Sequence, residues 1–191
     1  MPGKKINIAI AGGPCTGKST LAANVFVTLK NTGFDYDLIQ EEMRRLKREF
    51  GDPKSPFDRF YMWRQQEREE IRSNADNGFV TDMPLFHFYA QARQYQQEPR
   101  DKMAVRELFR MCLELEDRYQ LIVIAENPLE IPYRRDQSRS SDQDVSVERH
   151  KMVRAFVEFA WPKKILLVNG SLEERLKEVI SKLTEMHSSA L

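Results

Sequence analysis

Cysteine is almost absent. Cys15 and Cys112 are the two in 191 residues, far apart and without Cys-x-x-Cys spacing. That excludes a disulfide framework and a thiolate metal centre, and it suits a reducing cytoplasm. Long apolar runs are absent too: none approaches the roughly 18–20 residues that span a bilayer, so no membrane role is expected. Neither sign of charge prevails, since 30 basic side chains face 29 acidic ones. No global field therefore draws the chain to nucleic acid or lipid, which leaves only local basic patches open. Repeats and Pro/Gly/Ser-rich linkers are missing, and the length suits a single domain, 1–191, with a substantial core. Lys4-Lys5 precede a short apolar run that Gly12-Gly13-Pro14 interrupts at once, so a first strand is expected there rather than a signal peptide.

What is present is an alternation of short β-rich apolar runs with longer amphipathic ones. Strands are expected at 5–10, 34–40, 79–82, 121–125 and 164–168. Helices are expected at 18–31, after residue 40 up to Gly51, and over 57–77, 85–97, 101–119, 148–160 and 171–186. Ser171 and Glu174 stand at capping-box spacing at the start of the last helix. Residues 134–147 are polar and almost free of large apolar side chains, which reads as a loop or mobile flap within about 130–150. The alternation predicts an α/β three-layer sandwich around a mostly parallel five-stranded sheet, with ligands at the carboxyl ends of the strands.

The most specific local signal follows the first strand. "AGGPCTGKST" contains Gly12-x-x-x-x-Gly17-Lys18-Ser19, the spacing of a phosphate-binding P-loop, with strand, loop and helix in the required order. Gly12, Gly13, Pro14, Cys15, Thr16, Gly17, Lys18, Ser19 and Thr20 are the candidate nucleotide contacts. Such a loop aims backbone N–H groups and a helix N-terminus at the anion. Lys18 is expected on the β- and γ-phosphates of ATP and the Ser19 hydroxyl on Mg²⁺. Cys15 is read as a small spacer and Pro14 as a stiffener.

Other candidates end the remaining strands. Asp82, in "FVTD", is placed to hold Mg²⁺ or to accept the proton of an attacking hydroxyl. Glu41 and Arg44, three apart on a helical turn, form one candidate pair facing the site, and Glu42 with Arg45 forms the other. Asp35 and Asp37 are weaker candidates for a base. Glu126 and Asn127 follow the fourth strand, where they suit tuning the metal or positioning the adenine side, and turn formation explains them equally well.

Transfer of a phosphoryl group, rather than its hydrolysis, needs water excluded while charge on the γ-phosphate is stabilised. The segment "YRRDQSRSSDQDVSVERH" supplies Arg134, Arg135, Arg139 and Arg149, interleaved with acids that include Asp136. Aromatic and basic side chains also mix at 60–68 and 87–95, where Trp63, Arg64 and Arg93, with the nearby Phe86, suit base stacking and phosphate contact. They equally suit helices packed by their aromatics. His87 reads as a local hydrogen-bonding residue rather than a base.

"GGPCTGKST", Glu-x-x-Arg after the second strand, Gln66-Glu67…Glu70, "VTDMP", the flap from Tyr133 to Arg139, Glu148-Arg149 and "VNGSLEERL" occur in an order and spacing that cover nearly the whole chain. In this the sequence resembles the P-loop kinase family typified by the nicotinamide riboside kinase domain of bacterial NAD-regulator proteins, with its bacteriophage relatives. The resemblance implies a kinase fold using ATP and Mg²⁺. It places Lys18 and Ser19 on phosphate and metal, Asp82 near the metal, and Arg134, Arg139 and Arg149 in the flap. One departure is Gln137, where the family's flap usually carries glycine; it bears on the acceptor. Some phage members phosphorylate hydroxymethylated pyrimidines already in DNA, so the expected acceptor is a nucleoside-like hydroxyl, free or within DNA. A cytoplasmic location follows, that of the host for a phage-encoded chain, with no obligatory protein partner. The rival expectation is a P-loop ATPase or switch acting on a partner protein.

Overall fold

The computed structural model describes residues 5–40, 49, 51–126 and 143–188. Five parallel strands form one sheet in the order β2-β3-β1-β4-β5. They are β1 (Ile8–Ala11), β2 (Tyr36–Ile39), β3 (Gly78–Thr81), β4 (Leu121–Ala125) and β5 (Ile165–Val168). The helices among the described residues are α1 (Lys18–Asn31), α2 (Asp58–Arg72), α3 (His87–Gln94), α4 (Asp101–Leu113), α5 (Gln143–Ala160) and α6 (Leu172–Ser188).

The strands read as unbroken apolar runs because both faces of the sheet are covered, yet their side chains still alternate. Ile8, Ile10, Val80, Leu121 and Val123 pack with Leu21, Val25 and Leu29 of α1 and with Val179 and Leu183 of α6. Ala9, Ala11, Phe79, Ile122 and Ile124 face the other way, toward Met62 of α2, Phe88 of α3, Leu108 of α4 and Phe156 of α5. The three-layer sandwich expected from the sequence is therefore present.

Three boundaries depart from expectation. α2 stops at Arg72, and Ser73 leaves helical geometry with ψ 122°. The following residues are tied to the start of β2: Ser73 Oγ donates to Asp37 Oδ2 at 2.7 Å, and the Asp76 N–H to Asp35 Oδ2 at 3.0 Å. Those bonds replace the helical ones that the periodicity favoured. α4 ends at Leu113, ahead of a turn that delivers the buried Tyr119 to β4. α5 begins at Gln143, inside the stretch read as loop, because Ser146 gains a tertiary partner: its Oγ donates to Pro14 O at 2.6 Å. Residues 143–150 of the expected flap are therefore helix, and 127–142 lie outside the described residues.

Register fixes where function gathers. Ala9 pairs with Thr81 and Ala11 with Ile124, so the ends of β3 and β4 flank the exit of β1 into the glycine loop. The chain order reverses about β1, the point in an open parallel sheet where a crevice forms.

Candidate active site

The loop after β1 is built for an anion. Gly17 caps α1 in a left-handed conformation at φ 79°, which costs glycine nothing. Leu21 N–H is the first to close onto the helix, on Gly17 O, so the N–H groups just before it make no bond within α1. Thr16 is buried and its Oγ1 donates to Gly13 O at 3.0 Å, while Lys18 Nζ reaches the same carbonyl at 2.6 Å. Ser19 and Thr20 are exposed at the loop's mouth. Cys15, at φ 62°, is the non-glycine among the described residues with positive φ, a small residue in a bend that disfavours large ones.

Two histidines hold the loop from behind. Gly13 N–H donates to Nδ1 of His150 at 3.2 Å, and Gly12 N–H makes a longer bond of 3.4 Å to Nε2 of His87. Both imidazoles accept, so both are neutral there. Burial pushes each below its ordinary pKa, with Lys18 adding to the effect. Glu126 opposes this at His150, where its Oε2 lies 3.8 Å from Nε2. A Cβ on Gly13 would stand 2.5 Å from Ser146 O and 2.9 Å from His150 Cβ, so α5 sits too close for any side chain at that position.

Arg175 is the other brace. It is buried, and its guanidinium donates to Thr16 O at 2.8 Å, Gly170 O at 2.8 Å and Glu126 O at 3.2 Å. One side chain therefore joins the P-loop, the exit of β4 and the start of α6. The capping box at that start is formed: Ser171 N–H donates to Glu174 Oε2 at 2.7 Å and Glu174 N–H to Ser171 Oγ at 3.3 Å.

Beside the loop, Asp82 follows β3 and is 5% exposed, and its Oδ1 has no hydrogen-bond partner. An unpaired buried carboxylate oxygen costs several kcal/mol unless something meets it. The neighbouring segment is rigid: Leu85 N–H donates to the Tyr119 hydroxyl at 3.0 Å, and that hydroxyl donates to Glu70 Oε1 at 2.9 Å. Burial pushes the Glu70 carboxyl up to about 8, against the pull of Arg118 at 3.1 Å. Among the described residues no group of three or more His, Cys, Asp or Glu side chains could cage a metal ion. The donor set present, Ser19 and Asp82, suits Mg²⁺, which takes one or two protein oxygens and completes its shell with phosphate and water.

Several sequence-predicted residues sit elsewhere than a stacking surface requires. Trp63 and Phe86 are each 1% exposed. Phe86 is enclosed by the rings of His87, Tyr119, Phe156 and Trp161, and Trp63 packs on Phe88. Their faces belong to the core, and this corrects the reading of either as an open platform for a base. Arg64 is exposed and paired with Glu67 at 2.8 Å; Arg93 is exposed over the Tyr89 ring. Arg149 lies within α5 and its Nε donates to Gln94 Oε1 at 2.8 Å. Asp35 precedes β2, at the amino end of the parallel strands, whereas the glycine loop follows β1 at their carboxyl end, which removes it as a base. Glu41, Arg44, Glu42, Arg45, Asn127, Arg134, Arg135, Asp136 and Arg139 lie outside the described residues. His150 and Arg175 are site-forming residues to which sequence reading gave no role, and Glu126, weighed there between a part in the site and a turn, lies against His150 and accepts from Arg175 through its backbone carbonyl. The one available signal was Arg175's place in "GSLEER".

Comparison with known proteins follows this geometry. The family described as an AAA domain matches residues 7–175. The chain belongs to that family. No curated protein matches it. Among solved structures, the NadR protein in complex with NR superposes with a TM-score of 0.70 at 20% identity, covering 96% of this chain and 52% of that one. The NadR protein in complex with NAD and AMP-PNP gives 0.71, again at 20% identity, covering 96% of this chain and 50% of that one. The chain thus spans about half the length of these neighbours, and at this identity the likeness establishes the P-loop kinase-like fold. No helix among the described residues is long and apolar enough to cross a membrane.

Proposed function

We propose that this protein is an ATP-dependent kinase that moves the γ-phosphate to a hydroxyl of a nucleoside-like acceptor. The observation that carries the reading is the unpaired, buried Oδ1 of Asp82 at the strand end flanking a formed P-loop. The NadR neighbours, crystallised with NR and with AMP-PNP, support a nucleotide donor and a nucleoside acceptor.

In this reading the N-terminus of α1 and the Gly12–Thr20 loop bind the phosphates, and Lys18 leaves Gly13 O to reach the β- and γ-oxygens. Ser19 and Asp82 would hold Mg²⁺, which when bound neutralises charge on the transferred group. Asp82, or Glu41 from the end of β2, orients or deprotonates the acceptor hydroxyl. Arg134 and Arg139 stabilise the moving phosphoryl group and exclude water, with Arg135 and Arg149 on the nucleotide, and Arg44 and Asp136 on the acceptor. The acceptor is a free nucleoside or nucleotide, or a hydroxymethylated pyrimidine in phage DNA. Salt dependence separates the two, because transfer to DNA falls steeply as phosphate contacts are screened. Hydrolysis driving a partner protein is the rival, and identifying the product labelled from γ-labelled ATP distinguishes it.

A further inference from the structure

Asp82 is not alone in lacking a partner. Nε1 of Trp63, Oε1 of Gln66 and Oε1 of Gln91 are also buried without a hydrogen bond. Gln66 is wholly buried and Gln91 is 5% exposed, so water at the surface does not serve them. Both amides are gripped by one end only. Gln66 Nε2 donates to Thr81 Oγ1 at 3.3 Å, and Gln91 Nε2 contacts Met83 Sδ at 3.9 Å. These two anchors flank Asp82 in the chain.

The helices repeat the arrangement. Trp63 stands one turn before Gln66 on α2, and Phe88 one turn before Gln91 on α3, with their rings 6.2 Å apart. Gln91 in turn lies one turn beyond His87, which holds Gly12 of the phosphate loop. The unpaired atoms therefore belong to residues packed around the strand end that carries the candidate acceptor-side carboxylate. Native proteins rarely leave buried polar atoms unmatched, and such atoms are characteristic of a site completed by its ligand.

We propose that Gln66, Gln91 and the Trp63 N–H are the specificity contacts for the acceptor's base. The base they fit carries an amide-like edge, with N–H donors for the glutamine carbonyls and a carbonyl or ring nitrogen for Trp63. Rotating either glutamine amide by half a turn exchanges its ends, so the pair reads an edge bearing both donor and acceptor. This deepens the kinase reading and rests on it for the meaning of Asp82. It also gives the buried Trp63 a function through its edge, where its faces are taken by the core.

The test uses the full chain with ATP and Mg²⁺. The acceptors are cytidine, uridine, nicotinamide riboside and a phenyl riboside, whose ring offers no hydrogen-bonding edge. Wild type is expected to prefer its best edge-bearing nucleoside over the phenyl riboside by at least about 100-fold in kcat/KM. Gln66→Met and Gln91→Met, which keep length and lose the amide, should erase most of that preference through KM for the nucleoside and leave KM for ATP in place. Calorimetric binding of the same nucleosides gives a readout without turnover. If wild type binds the edge-bearing nucleoside selectively and releases only inorganic phosphate, the kinase reading fails and the recognition site stands. Should wild type transfer phosphate equally well to the phenyl riboside, the recognition proposal falls, a result needing no variant. It falls too if the Met variants fold, gain thermal stability and keep their selectivity, because the unpaired atoms then serve only buried water.

Discussion

The backbone N–H of Gly13 in the phosphate loop donates to Nδ1 of His150, 3.2 Å away on α5. A neutral imidazole accepts that bond and an imidazolium does not, so the back of the loop is sensitive to protonation. His87 makes the corresponding, longer bond to Gly12. Burial holds both histidines below their ordinary pKa in the folded chain. The unfolded chain therefore takes up protons first as pH falls through about 6.5, and stability present above that value is lost toward the folded pKa. Glu70, whose carboxyl burial pushes up to about 8, contributes with the opposite sign over the same range, because there the folded chain holds the extra proton. The histidine part is therefore read by comparing thermal midpoints of wild type and the double variant His87→Gln, His150→Gln, which retains an acceptor at both positions. Between pH 7.5 and 5.5 wild type should lose stability relative to the variant, and a constant difference would assign the pH dependence to other groups.

Close approach of α5 makes a second prediction. Gly13→Ala places a methyl group 2.5 Å from Ser146 O, backbone that shifts only with the whole helix. The expected loss is about 1–3 kcal/mol, read as a lower urea midpoint with unchanged m-value. A neutral substitution would mean that α5 stands further from the loop.

Arg175→Leu removes the donor to three carbonyls at once, those of Thr16, Gly170 and Glu126. A loss of roughly 3 kcal/mol is expected, together with weaker ATP binding because the loop loses its tie at Thr16. Intact nucleotide affinity in a destabilised variant would confine Arg175 to a purely structural part.

Part of this arrangement was legible in the sequence and part was not. The P-loop, the five strands and the capping box at Ser171 could be read because spacing along the chain sets their chemistry. The start of α5 could not be, since Ser146 is helical through a bond to Pro14, 132 residues away. Trp63 and Phe86 misled for a related reason: an aromatic near an arginine reads alike whether its face is open or packed, and only the other layer decides. Asp82 could be singled out because a carboxylate that ends a strand beside a P-loop stands where ligands gather, and the structure shows it buried there with Oδ1 unpaired. His150 fell within the helix expected over 148–160, where nothing in the local spacing marked a partner in the P-loop.

The candidate chemistry separates two basic residues. Lys18 is half-buried and its Nζ donates to the loop carbonyl of Gly13 at 2.6 Å, beside the N-terminus of α1, so Lys18→Ala removes a charge from the phosphate loop itself. Turnover should fall by at least about 100-fold, since a charge aimed at the transferred group is gone. Arg139→Ala should lower kcat with little change in KM for ATP. An Arg139→Ala enzyme with wild-type kcat would remove that arginine from the mechanism.

The central claim is that the terminal phosphate goes to a hydroxyl and not to water. The most direct measurement incubates the wild-type chain with γ-labelled ATP, Mg²⁺ and, in parallel, free nucleosides, nucleotides and hydroxymethylated DNA, and then identifies the labelled product. The account predicts a labelled phosphate ester on one acceptor class, abolished by Asp82→Asn. Labelled inorganic phosphate alone, formed at the same rate with and without every acceptor, would contradict it.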